Sequence, residues 1–279
     1  MHADVKHPEL TLSFIGGGNM ANALIGGLQA RFGAAATIHV VDPNAAALDK
    51  LVQQFGVSTS IQMDASLAAS AVILLAVKPQ QMKEVAQQLA PHLTGQLVIS
   101  IAAGIRSADL SRWLGGHGAI VRCMPNTPAL IAQGITGMVA SAGVSAEQRA
   151  AADTVLQAVG ATLWLDDEAL IDSVTAVSGS GPAYVFYFLE AMQQAAQELG
   201  LSAEQGKTLA LATFAGATQL AAQSPDPIGV LREKVTSKGG TTYAALTSLE
   251  SAEVKQSIIT AMKAAADRGK ALGDELGAD

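Results

Sequence analysis

Cysteine is almost missing from this chain: Cys123 is the only one among 279 residues. That excludes an intrachain disulfide and any thiolate cluster around a metal, and no metal site is expected. Charge is scarce as well, at 15% of residues against roughly 25% in an average soluble protein. A chain of this size with so little charge is expected to cover part of its surface with another subunit. There is no basic cluster and the net charge is −7, so nucleic acid is not an expected partner. No apolar run reaches the length of a membrane span, and the first ten residues are polar, without the apolar core of a signal segment. A soluble, cytoplasmic protein with no membrane partner is the expectation. What is abundant is apolar material, 49% of the residues, enough for one large domain or two ordinary ones.

Residues 10–15 read as a buried strand, Gly16-Gly-Gly-Asn-Met-Ala21 follows at once, and a helical pattern continues through Leu24, Ile25 and Leu28. The string fits G-x-G-x-x-A. Gly16 suits the tight turn, Gly18 the approach of backbone to a pyrophosphate, and Ala21 close packing of helix on strand. Alone such a string is weak evidence, but here it occupies the strand–turn–helix setting that the mechanism demands. A second strand at residues 37–41 ends at Asp42. Asp42 has two readings: a carboxylate bonding a ribose 2′-hydroxyl, which favours NADH over NADPH, or part of an Asp-Pro-Asn turn in which Asp42 or Asn44 caps the helix 45–55. His39, inside that strand, is expected to be a packed or edge histidine.

Residues 71–77 form a continuous apolar run, as a central parallel strand buried on both faces requires. Ligands of such sheets bind beyond the carboxyl ends of the strands, so Ala76, Val77 and Lys78 should border a cofactor; Lys78 reads equally as a solvated residue at a strand end. After a helix at 81–93 and a strand at 96–101, Ala102-Ala103-Gly104 offers small residues where a flat nicotinamide ring can lie close. The next strand, 119–123, leads into Met124-Pro-Asn-Thr-Pro-Ala129. Its two prolines flank Asn126 and stiffen a loop that either holds the nicotinamide amide or is only a rigid turn. A strand at 135–140, a helix at 146–159 and a strand at 161–165 complete a first domain expected to span 1–165.

Beyond it the strand pattern stops, and residues 166–279 are expected to be helical. A helix at 168–177 is interrupted by Ser178-Gly-Ser-Gly-Pro182, and 183–199 carries its polar residues on one stripe. Residues 205–222 are apolar or small nearly all round, so this helix should be deeply buried, with a second subunit as its cover. A polar-faced helix at 252–272 closes the chain. Between them lies Val235-Thr-Ser-Lys-Gly-Gly-Thr-Thr-Tyr243, followed by a helical run at 244–249. Its hydroxyls, the free torsions of Gly239 and Gly240, and the unpaired N–H groups of a helix start together suit a small carboxylate or phosphate. The plainer reading is an ordinary capped loop.

Three of these stretches, Phe14-Ile-Gly-Gly-Gly-Asn-Met20, Val177-Ser-Gly-Ser-Gly-Pro-Ala-Tyr184 and Val235-Thr-Ser-Lys-Gly-Gly-Thr-Thr242, together resemble one family, the pyrroline-5-carboxylate reductases of proline biosynthesis. Ala76-Val-Lys-Pro79, Ser100-Ile-Ala-Ala-Gly104 and Arg122-Cys-Met-Pro-Asn-Thr-Pro-Ala129 resemble the cofactor-side segments of that family. The resemblance implies an α/β chain with an N-terminal Rossmann-type parallel sheet domain, followed by an all-helical C-terminal dimerisation domain. It also implies a dimer, often gathered into a larger ring such as a decamer. NADPH or NADH would be the cofactor and a cyclic imino acid the substrate, L-1-pyrroline-5-carboxylate reduced to L-proline.

Carried over residue by residue, the resemblance places Gly18, Asn19, Met20 and Ala21 at the pyrophosphate. Ala76, Val77, Lys78 and Ala102-Ala103-Gly104 would lie along the nicotinamide half, with Pro79 and Asn126 in the same cofactor-side segments. Val235, Ser237, Gly239, Gly240, Thr241 and Thr242 would hold the substrate, Thr242 nearest its ring nitrogen as the catalytic residue. Two positions depart from the family pattern: Lys238 stands where proline is usual, and Met63 where a side chain making a polar cofactor contact is usual. A hydroxyacid reductase of similar build would carry a lysine on the helix 183–199, and none is there. A nucleotide sensor without turnover would have no need of the Ser/Thr/Gly loop.

Overall fold

The computed structural model describes residues 10–278. Its first half alternates strands and helices: β1 (Leu10–Ile15), α1 (Asn19–Phe32), β2 (Ala36–Val41), α2 (Ala45–Phe55), β3 (Ser58–Ser60), β4 (Val72–Leu75), α3 (Met82–Leu89), β5 (Leu97–Ser100), α4 (Ser107–Trp113) and β6 (Ile120–Met124). β7 (Gly134–Ala140), α5 (Ala146–Leu156) and β8 (Gly160–Trp164) complete an eight-stranded sheet ordered β3-β2-β1-β4-β5-β6-β7-β8.

The run of apolar residues in β4 has a direct cause. Val72 and Leu74 point into a core cluster with Phe14, Leu24 and Leu28, while Ile73 and Leu75 point into a second cluster with Met82, Leu89 and Trp113. Both faces of the sheet are thus covered, and each fully buried side chain of this size contributes about 2 kcal/mol. α1 reaches the turn before β8 only because Gly27 has no side chain: a Cβ there would lie 2.4 Å from the Ala158 carbonyl oxygen.

The sheet is parallel from β3 to β6, but β7 pairs with β6 antiparallel, and β8 follows β7 in parallel. The sheet is thus parallel-dominated, as a Rossmann-type domain requires, with β6–β7 as its one antiparallel pair among the described residues. The link from Met124 to Gly134 holds only a single 3-10 turn, Thr127–Ile131. That is too short for the crossover of about a dozen residues that a parallel return needs.

The helical half comprises α6 (Leu170–Val174), a π turn (Thr175–Gly179), α7 (Gly181–Glu198), α8 (Ala203–Gln223), α9 (Ile228–Lys234), α10 (Thr241–Ser251) and α11 (Val254–Gly277). The expected interruption at residues 178–182 is milder than a break. Ser180 N–H donates to the Thr175 carbonyl at 2.8 Å, and Pro182 falls at the second residue of α7, where no helical N–H bond is lost.

The chain divides into two compact units, Met1–Ser180 with Ala265–Asp279, and Gly181–Ala264. The first therefore extends past Leu165, because α6 lies on the sheet: a Cβ on Gly137 of β7 would come within 2.7 Å of Val174 Cγ1. It also takes in the end of α11, where Arg106 Nη2 donates to Asp274 Oδ1 at 2.6 Å.

In the second unit α7 packs on α8, with Gly206 fitted against Ala196. The expectation that residues 205–222 are deeply buried does not hold within one chain. Only Gly206 and Ala210 of α8 are buried, while Leu209 is 54% and Leu220 61% exposed. A handful of helices without a second layer cannot cover both sides of an all-apolar one. A groove of about 400 Å³ also lies open between α7 and the start of α11, lined by Tyr184, Tyr187, Phe188, Ile258 and Met262.

Candidate active site

The turn between β1 and α1 is built around Gly16, whose φ of +102° is strained for any side chain and whose Cβ would sit 2.8 Å from the Ala76 carbonyl oxygen. Gly16 N–H donates to the Val41 carbonyl at 2.8 Å, which ties the turn to the end of β2. Gly18 is different. It is the N-cap of α1, no side chain caps the helix, and a Cβ added there would meet nothing within 4 Å. Gly18 and Asn19 are exposed and Ala21 is fully buried. The free N–H groups at the start of α1 therefore open onto space, the arrangement that receives a phosphate at a helix N-terminus.

The structure contains the second of the two readings of Asp42, the Asp-Pro-Asn turn with a helix cap, and adds a bond from that turn to the glycine turn. The helix cap is Asn44, whose Oδ1 accepts from Ala47 N–H at 3.2 Å. The Asp42 carboxylate accepts from Gly17 N–H at 2.7 Å with one oxygen and from Asn44 N–H at 2.8 Å with the other. It pins the glycine turn to the turn after β2, and each oxygen keeps a lone pair for a further donor. A cavity of about 640 Å³ opens at the carboxyl ends of β1, β2 and β4, bordered by Gly16, Asp42, Met63, Val77 and His92, within the size range of small-molecule sites. Met63 offers this cavity only an apolar surface. His39 is a strand residue of β2, its ring bonded to Ser58 Oγ at 2.9 Å and Ser60 Oγ at 3.0 Å. Burial lowers its pKa, and the nearby Asp64 partly offsets that.

Farther along the same sheet edge, Ala76 and Val77 are half-buried and Lys78 is exposed, with Pro79 opening a 3-10 turn. Ala102 is buried, and Gly104 adopts φ +74°. The small size of Gly104 has a structural cause the sequence did not disclose: its Cβ would lie 3.1 Å from Leu272 Cβ, so it makes room for α11. Asn126 Oδ1 accepts from Ile135 N–H at 2.9 Å and holds the Pro-Asn-Thr-Pro loop to the start of β7, leaving its amide NH₂ free. Glu168, which the sequence reading passed over, has one carboxylate oxygen accepting from both Ser107 N–H at 2.7 Å and Arg122 Nη1 at 3.0 Å. Nothing local marks it, since an acid opening a helical run looks like a solvated one.

In the second unit, the loop between α9 and α10 is a sequence of tight turns. Thr236 folds back on α9 through N–H to Glu233 O at 2.9 Å and Oγ1 to Arg232 O at 2.6 Å. Gly239 adopts φ +75°, and Gly240 N–H donates to Ser237 O at 3.0 Å. Gly240 caps α10 without a side chain, and the first helical bond runs from Ala244 N–H to Gly240 O. The N–H groups of Thr241, Thr242 and Tyr243 consequently have no partner inside the helix. Val235, Ser237, Lys238, Thr241 and Thr242 are exposed. Lys234 of α9 pairs with Asp226. Among the described residues, no group of three or more His, Cys, Asp or Glu is placed to hold a metal ion.

A glycine turn between a parallel strand and a bare helix start, an acid braced against it, and a cavity at the same sheet edge define a dinucleotide-binding domain, the kind that nicotinamide-dependent oxidoreductases are built on. The comparisons with known proteins go further. Residues 168–272 match the family "Pyrroline-5-carboxylate reductase dimerisation", and residues 11–104 match "NADP oxidoreductase coenzyme F420-dependent". The chain is 48% identical over 267 residues to the pyrroline-5-carboxylate reductase of Pseudomonas aeruginosa, covering 95% of this chain and 98% of that one. The solved structure of a pyrroline-5-carboxylate reductase from Coxiella burnetii superposes with a TM-score of 0.88 at 39% identity, covering 95% and 98% of the two chains. That of Plasmodium falciparum, solved with NADP bound, gives a TM-score of 0.85 at 29% identity, covering 96% and 100%. The chain belongs to the pyrroline-5-carboxylate reductase family.

Proposed function

We propose that the chain reduces L-1-pyrroline-5-carboxylate to L-proline with NADPH or NADH, the final step of proline biosynthesis. The observation that carries this reading is the loop 235–242, rich in hydroxyls and free amides, directed by two glycines, and containing neither His nor carboxylate. A cyclic imine is electrophilic once its nitrogen is protonated, and water can supply that proton, so a strong protein acid is not obligatory. NAD(P)H supplies the hydride, from nicotinamide C4 to the C=N carbon.

The remaining work belongs to the protein's own groups. Gly16 shapes the turn, while Gly18, Asn19, Met20 and Ala21 receive the pyrophosphate. Asp42 faces the ribose, and Ala76, Val77, Lys78, Pro79, Ala102, Ala103, Gly104 and Asn126 run along the nicotinamide half. Val235, Ser237, Gly239, Gly240 and Thr241 hold the imino acid, with the amides at the start of α10 on its carboxylate. Thr242 bonds the ring nitrogen. Two flat rings must meet with reacting atoms about 3–3.5 Å apart, and such orientation is a large part of the rate.

Spectrophotometry at the nicotinamide absorbance with pyrroline-5-carboxylate tests this directly: turnover is the expected result, and silence with both cofactors overturns the reading. Because the Asp42 carboxylate already accepts two backbone N–H bonds, its charge is partly offset, and both cofactors should be used. At equal concentrations the kcat/KM values for NADPH and NADH should differ by no more than about tenfold, under about 1.4 kcal/mol. A strict requirement for NADPH would show that Asp42 has no part in the choice.

The same reading makes the chain a dimer through α7 and α8, with a decamer as the larger assembly. A cytoplasmic location accords with this role, and no helix among the described residues is long and apolar enough to cross a membrane. Light scattering should give at least twice the mass of one chain. Leu209→Glu, on an exposed apolar position of α8, should yield monomers, and a parent that is already monomeric overturns the dimer.

A further inference from the structure

We propose that Glu168 and Arg122 are positioning residues for the nicotinamide half of the cofactor, acting through one carboxylate oxygen that ties two loops together. This rests on the reductase reading of the same site. Glu168 Oε1 accepts from Ser107 N–H at 2.7 Å and from Arg122 Nη1 at 3.0 Å. Ser107 is the first residue of α4, which starts just after Ala102-Ala103-Gly104 and has no side-chain cap of its own. Arg122 lies on β6 opposite Ser100 of β5, two residues ahead of Met124 and the Pro-Asn-Thr-Pro loop. One carboxylate thus fixes the segments after β5 and after β6, two of the three along which the nicotinamide is assigned.

The clamp is built to be rigid. The Arg122 side chain is only 5% exposed, and a second carboxylate, Asp172, stands 3.7 Å from its Nη2. A guanidinium so deeply buried is held by its partners rather than by water, and removing one leaves a buried charge poorly paired. Neither residue is catalytic. Glu168 acts on the two loops, and the loops act on the ring.

Two variants separate this role from a purely structural one. Glu168→Ala removes both bonds, whereas in Glu168→Gln the amide carbonyl accepts the same two. Ser107→Pro is a gentler cut, deleting the N–H donor together with a buried hydroxyl that makes no hydrogen bond. Proline is favoured at a first helical position, and Arg106 before it already has φ −81° and ψ 150°, the extended conformation that a following proline requires.

The probes are NADPH and 2′-phospho-ADP-ribose, which lacks the nicotinamide. In Glu168→Ala, kcat with pyrroline-5-carboxylate should fall about tenfold or more, and the margin by which NADPH outbinds the truncated nucleotide should vanish. Affinity for the truncated nucleotide should stay within about twofold of the parent, and Glu168→Gln should restore most of kcat. Ser107→Pro should lower kcat at an unchanged melting temperature. An unaltered kcat and margin in Glu168→Ala overturn the proposal, and so does a loss of affinity for both nucleotides in equal measure. A parent inactive with pyrroline-5-carboxylate would sink the functional reading instead, and the two-nucleotide comparison would still decide the clamp.

Discussion

Gly18→Ala should fold like the parent protein and bind NADPH about a hundredfold more weakly. The two halves of that expectation have separate causes. An alanine at this position meets no atom within 4 Å, and its φ of −74° with ψ −173° is ordinary extended backbone, so the cost to the fold is at most about 1 kcal/mol of helix capping. The same methyl group projects into the space where a pyrophosphate must approach the first N–H groups of α1. Gly16→Ala is the contrasting variant. With φ +102° and a Cβ 2.8 Å from a backbone oxygen of Ala76, it should lose about 3 kcal/mol of stability before binding is considered. Thermal melting with and without NADPH, alongside fluorescence titration, distinguishes the two. A Gly18→Ala protein that binds NADPH as the parent does would place the pyrophosphate elsewhere.

The glycine turn was readable because all its causes are local: a buried strand, a left-handed position and a bare helix start follow one another within a dozen residues. β4 was readable for the same reason, since a strand covered on both faces needs apolar residues at every position. β3 was not. Ser58–Ser60 has no apolar alternation, and it is held at the sheet edge by parallel pairing with β2 and by the His39 ring. The reversal at β7 was hidden as well, because side-chain pattern reports which face a residue occupies and not the direction of the strand.

The site divides along the same line. Asn44 as a cap is a local property of an Asp-Pro-Asn turn, but the bond from Gly17 to Asp42 joins two turns that only the sheet order brings together. Gly104 reads as a place for a flat ring, and nothing near it in the sequence tells that Leu272 also packs against it. Glu168 carries no sequence mark at all, because both its donors lie far upstream in the chain. Residues 205–222 were correctly read as apolar all round, yet within one chain α8 remains exposed, since composition says what must be covered and not which chain covers it.

Thr242→Ala should lower kcat/KM for pyrroline-5-carboxylate by about 10- to 100-fold while leaving NADPH affinity as it was. The magnitude is that of a hydrogen bond to a group gaining or losing charge, about 1.5–3 kcal/mol. The side chain sits at the second position of α10, exposed, so its removal leaves no cavity and disturbs no cap. Thr242→Ser keeps the hydroxyl and should recover most of the rate. Gly240→Ala acts on binding instead: its Cβ would lie 2.6 Å from Ser237 Oγ and 3.2 Å from Ser237 O, so the Ser237 hydroxyl assigned to the imino acid must rotate away and the turn gives by a few tenths of an ångström. Its main effect should be a raised KM for the imine. Steady-state kinetics at saturating NADPH separates a lost ring-nitrogen contact from a displaced Ser237 hydroxyl. If Thr242→Ala left kcat and KM both untouched, the threonine would have no part in the reaction. Protonation would then rest on water alone, and the loop would serve only to hold the carboxylate.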